Sequence, residues 1–170
     1  MHRTTLAACA ALLTVAAQAA PHQHGVIALN VALDGTTLTV ELNAPLDSLV
    51  GYERAPRNDA ERRAAAEVLQ RLRDPAQLFM PDAAAQCRAT APQLEAGLLA
   101  PDAKPAAGEH ADLQASYRWT CAQPAQLRSI ALPVFDTFKR IQRIEVQTVG
   151  PQGQRKATLR RAGAVLKLAP

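Results

Sequence analysis

Val26 to Asn43 reads VIALNVALDGTTLTVELN. Ile27, Leu29, Val31 and Leu33 alternate with small or polar residues, so they share one face of an extended chain. Asp34-Gly35 follows, a dipeptide that accepts the positive φ angles of a tight hairpin turn. Alternation then resumes, with Leu38, Val40 and Leu42 on one face and Thr37, Thr39 and Glu41 on the other. The stretch is a β-hairpin with one greasy and one wet face. Later connections are too short for parallel crossovers. The expected fold is therefore α+β: a mainly antiparallel sheet starting with this hairpin, and one long amphipathic helix packed on it.

Downstream, Pro45 to Pro56 is a connecting segment. Asn58 with Glu61 three residues on predicts a capping box. Ala65, Val68, Leu69 and Leu72 then follow the spacing of one buried helical stripe, and Pro75 stops the helix. Leu78 and Phe79 pack as a short turn, and a strand surrounds Cys87. Ala100 to Gly108 holds two prolines, a glycine and no bulky residue, and reads as a loop. Strands follow over 112–121, 127–133, 141–149, 154–160 and 165–168, with a short helix from Val134 that buries Phe135 and Phe138. Arg155 to Arg161 alternates basic with apolar residues and reads as the wet face of a strand.

Upstream, the chain reads as a secretory leader. His2 and Arg3 form a short basic start, Leu6 to Ala17 carries no charge, and Ala17-Gln18-Ala19 is a small-x-small cleavage site. We place the cut after Ala19, giving a signal peptide of residues 1–19 and a single domain of residues 20–170. Leu6-Ala7-Ala8-Cys9 looks like a lipid-acylation box, but it lies inside the apolar run rather than at its end. No later stretch could anchor the chain in a membrane. The Ala- and Arg-rich composition suggests a GC-rich bacterial source, which makes the destination the periplasm.

The 170 residues carry a net charge of +4, with 48% apolar, 20% charged and 4% aromatic side chains. Disorder is excluded, and nucleic-acid modules that stack bases on aromatics are disfavoured. The leader takes Arg3, His2 and Cys9 with it. Cys87 and Cys121 remain, and an exported chain with two cysteines is expected to join them, rather than to keep a thiolate metal pair or a free thiol. No Gly-x-Ser-x-Gly elbow, phosphate loop or dinucleotide fingerprint is present, and nothing supplies a convincing nucleophile, so the protein reads as a non-enzyme.

The histidines are informative by placement. His22 and His24 lie just past the cut, two residues apart, so an extended backbone turns both imidazoles the same way. His110 and Asp112 repeat that spacing at the start of a strand. Brought together, these pairs supply the nitrogen and oxygen ligands that suit zinc. Glu53 is a further carboxylate candidate, as ligand or as support for an imidazole, against a plainer reading as the ion-pair partner of Arg54. Each pair alone is a weak signal that also reads as solvated polar residues. Zinc needs neutral imidazoles, so affinity falls below about pH 6.

The same residues carry a family resemblance. His22-Gln23-His24-Gly25, then Ala28-Leu29-Asn30-Val31-Ala32, Asp34-Gly35 and Leu38, resembles the opening of the zinc-regulated periplasmic zinc-uptake proteins of Gram-negative bacteria, the ZrgA type. Gly51-Tyr52-Glu53-Arg54-Ala55-Pro56 resembles that family's Gly-Phe-Glu-His-x-Pro element. His110-Ala111-Asp112-Leu113, followed by Tyr117, Trp119 and Cys121, resembles its His-x-Asp strand ending in cysteine. Leu132 to Phe138, Val146 to Val149 and Gly153-Gln154 match its tail.

The resemblance implies a periplasmic accessory of zinc uptake that holds or delivers the ion and performs no catalysis. A metal-uptake transporter or its binding protein is the implied partner. The chain departs from the family twice. Ala100 to Gly108 lacks the His-rich stretch that many members carry before the His-x-Asp element, and Arg54 replaces a histidine. A single zinc ion, rather than a reservoir, is therefore expected, at His22, His24, His110, Asp112 and Glu53. The alternative function is a non-metal periplasmic adaptor that grips another envelope protein through its strand edges or the Phe135/Phe138 region.

Overall fold

A computed structural model describes residues 23–100, 103, 111–162 and 164–168. The stretch read as a leader and most of the Ala100 to Gly108 segment read as a loop lie outside the described residues. In chain order the elements are β1 (Val26–Asp34), β2 (Thr37–Pro45), α1 (Leu46–Val50), α2 (Asp59–Leu72), β3 (Met80–Pro81), β4 (Cys87–Ala89), β5 (Gln93–Glu95), β6 (Asp112–Cys121), β7 (Ser129–Ala131), α3 (Val134–Thr137), β8 (Arg143–Gly150), β9 (Gly153–Arg160) and β10 (Val165–Lys167). The α+β class holds, and the hairpin opens it.

The main sheet runs β4-β6-β2-β1-β8-β9, with β5 also paired to β6. Its pairs are antiparallel except one: β1 runs parallel to β8, from Val26 opposite Arg143 to Ala32 opposite Val149. Short local connections do not forbid a parallel pair when the two strands come from opposite ends of the chain. The segment read as one more strand of this sheet, around Ile130, instead seeds a second, three-stranded sheet ordered β10-β7-β3.

The hairpin turn sits one residue later than the sequence suggests. Asp34 pairs with Thr37, so Gly35 and Thr36 form the turn and Gly35 alone carries a positive φ, +55°. Glycine at the first turn position is what a two-residue loop of this kind needs.

Apolar alternation puts Leu29, Val40, Leu42, Tyr117, Trp119 and Ile144 into the core. The α2 stripe of Ala65, Val68, Leu69 and Leu72 is buried as its spacing required. Leu78 and Phe79 are buried as expected, and Phe79 meets Tyr117 and Trp119 edge-on, at 5.1 and 6.3 Å between centroids. The Tyr117 hydroxyl donates to the Leu72 carbonyl at 3.0 Å, so strand β6 caps the last turn of α2, and burial pushes that phenol's pKa up. Cys87 and Cys121 face each other across β4 and β6 and are joined as a disulfide.

Two local readings change. Asn58 caps α2 through the Glu61 amide, but the Glu61 carboxylate reaches back to the Arg57 amide rather than to that of Asn58, so only half a capping box forms. The reason is Arg54, whose guanidinium takes both oxygens of Glu61. Most of β9 is wet as expected, but Arg161 lies just past it and works as a clamp. Its guanidinium donates to the carbonyls of Phe135, Lys139 and Ile141. Phe135 and Phe138 are both buried beneath that segment, so they offer no apolar surface to a partner.

Candidate metal centre

The candidate site lies where β1 begins and β2 ends. Residues 23–25 enter β1 through a turn closed by the Val26 amide on the Gln23 carbonyl. Gly25 takes φ +75° there. It is held on both sides: its amide donates to the buried Ser48 hydroxyl at 3.0 Å, and its carbonyl accepts from the amides of Gln142 and Arg143. His24 thus projects from a fixed stretch of backbone, while its ring stays 69% exposed.

Helix α1 follows β2 without a loop. Its five residues end at Gly51, a left-handed cap at φ +90° whose amide donates to the Asp47 carbonyl. The Leu46 amide donates to the Ala111 carbonyl at 2.8 Å. One short helix is therefore bonded both to the segment bearing His24 and to the residue preceding Asp112.

Two carboxylates reach His24. Asp47 Oδ2 lies 3.5 Å from Nδ1, and Glu53 Oε1 lies 3.6 Å from Nε2. They approach opposite nitrogens of one ring. Asp47 is the more enclosed, 20% exposed against 41% for Glu53. Glu53 is not the partner of Arg54. That arginine stacks over the Tyr52 ring at 4.7 Å and forks onto Glu61 at 2.7 and 2.9 Å. Arg54 turns to Glu61 because a two-pronged bond to a carboxylate fixed on a helix outweighs a single contact to its chain neighbour. Arg54 thereby ties its loop to α2.

Asp112 is the first residue of β6, opposite Pro45, and half-buried. Its parity puts it on the same sheet face as the exposed Gln114 and Arg118. His22 and His110 lie outside the described residues. Among the described residues no three of His, Cys, Asp and Glu form a group that could hold a metal ion.

Asp47 and Ser48 were not legible as site residues from local sequence, since both sit in what reads as a connecting segment. The signal was the hairpin register. Continuing the ladder that pairs Ala28 with Asn43 brings residue 24 opposite residue 47.

No curated protein matches the chain. The model of the ZrgA family zinc uptake protein matches residues 21–168. That span runs from the residue before His22 through the last described residue of the fold. A match over most of the chain leaves one conclusion: the chain belongs to the ZrgA family of zinc uptake proteins.

Proposed function

We propose that the protein is a periplasmic accessory of zinc uptake, exported by a cleaved leader of residues 1–19, that holds a single zinc ion and hands it on. The candidate ligands of this reading are His22, His24, His110 and Asp112, with Glu53 as a ligand in place of one of them or as support for an imidazole. The observation that carries it is the 3.6 Å between His24 Nε2 and Glu53 Oε1. Two ligands on one tetrahedral zinc stand about 3.4 Å apart, given bonds of about 2.0 to 2.2 Å. The pair therefore already stands close to the separation that two ligands of one ion require.

Two further facts support the reading. Gly25 and Ala111, the described neighbours of the two His-containing pairs, are both hydrogen-bonded to α1. The Cys87–Cys121 disulfide suits an oxidising compartment. A partner transporter would collect the ion from a site open to solvent, and His24 and Glu53 are both exposed.

Calorimetric titration of the mature protein with zinc tests this. The expected result is saturable binding of one ion at micromolar affinity or tighter, lost in the His24→Ala, His110→Ala double variant. Absence of saturable binding, or binding unchanged in the double variant, overturns it.

A further inference from the structure

We propose that Asp47 is the positioning residue of this site: it accepts the Nδ1 proton of His24 and so turns the Nε2 lone pair toward the ion, beside Glu53. The inference rests on the zinc reading above and adds to it which nitrogen binds and what fixes it.

A neutral imidazole has one protonated and one bare nitrogen, and only the bare one binds metal. Something must choose. Packing does not, because the ring is 69% exposed. The two carboxylates can, because they sit at opposite nitrogens, and they are not equivalent. Glu53 is the more open, on the irregular stretch after α1. Asp47 is the more enclosed, on a helix fixed at three points: Leu46 to Ala111, Ser48 to Gly25, and Gly51 capping its end.

Asp47 and Ser48 work as a pair. The first stands 3.5 Å from the ring of His24 and the second accepts from the amide of Gly25, so two consecutive helix residues face two consecutive residues of the turn. A ring held through its backbone at Ser48 and through Nδ1 at Asp47 has its orientation and its tautomer set before metal arrives. A fixed carboxylate behind a ligating imidazole also makes the other nitrogen a better donor, and such partners are worth about 10- to 100-fold in metal affinity.

The test has two readouts. In the metal-free mature protein at pH 8, long-range proton–nitrogen NMR on 15N-histidine-labelled chain should find the His24 proton on Nδ1, and the Asp47→Ala variant should lose that preference. In chelator-competition titrations with zinc, Asp47→Ala should bind about 10- to 100-fold more weakly than wild type, and Asp47→Asn, which keeps an acceptor oxygen, should fall between. Circular dichroism and thermal melting check that both variants fold. Zinc found on Nδ1, or Asp47→Ala binding zinc as tightly as wild type, overturns this inference and leaves the zinc reading standing. A wild-type protein without zinc affinity overturns both.

Discussion

Arg54 forks onto Glu61 with its two terminal nitrogens 2.7 and 2.9 Å from the two carboxylate oxygens. That fork and the Arg57 amide hold the Glu61 carboxyl at about 2, against an ordinary 4.5. A carboxyl lowered in the folded state stabilises it fully above its unfolded pKa, and the gain drains away as pH falls toward the folded pKa. The melting temperature of Glu61→Gln should therefore lie below that of wild type at neutral pH, with the gap closing between about pH 4.5 and pH 2. A gap that persists unchanged at pH 2 would show that the charge is not what the fork contributes.

Gly51 takes φ +90° where α1 ends, and a Cβ there would stand 2.5 Å from the Arg140 guanidinium. The arginine is flexible and can swing aside, whereas the backbone cannot leave the left-handed region without unmaking the cap. Gly51→Ala should cost about 1 to 2 kcal/mol in chemical denaturation, and adding Arg140→Ala should not restore it. Full rescue by the second change would place the cost in the collision instead.

The Cys87–Cys121 bridge spans 34 residues. On the chain-entropy model it stabilises the fold by about 3 to 4 kcal/mol. Replacing both cysteines by alanine should lower urea-denaturation stability by that amount, and reduction of the wild type should do the same. A shift below 1 kcal/mol would mean that the β4–β6 ladder already fixes this part of the chain.

Arg161 donates to the carbonyls of Phe135, Lys139 and Ile141 and stacks over the Phe135 ring at 5.7 Å. Arg161→Ala strands these acceptors and should cost about 2 kcal/mol. Arg161→Lys should recover little, because one ammonium lacks the planar spread that reaches several carbonyls at once. Equal stability of the lysine variant would reduce the clamp to a point charge.

How much of this was legible in the sequence depends on what each feature rests on. The hairpin and the α2 stripe were written in spacing, since burial on one face enforces a period, and the cysteine pair was written in its count of two past residue 19. The candidate site was half legible. His24, Glu53 and Asp112 were visible as residue types, and Asp47 was not, because a single slip hid it. Centring the turn on Asp34-Gly35 sets residue 24 opposite Pro45, whereas the actual turn at Gly35-Thr36 sets it opposite Asp47. Periodicity names the faces, but a two-residue loop decides who stands across from whom. The partners of Arg54 and Arg161 were unreadable for another reason: a long cationic side chain reports its charge in sequence and its reach only in space.

The parallel pairing of β1 with β8 also sets an order of events. Synthesis delivers the amino-terminal end first, yet Gln23 and the Arg143 side chain that bonds it lie 120 residues apart in sequence. The Gly25 carbonyl waits on the amides of Gln142 and Arg143 as well. Strand β1 therefore emerges with one edge unsatisfied and keeps it so until the last quarter of the chain has been made. Closing so long a loop is slow, and an open edge is an invitation to the wrong neighbour. The wall behind His24 is finished only at that late step, so on the proposed zinc reading affinity belongs to the completed molecule and not to the emerging one.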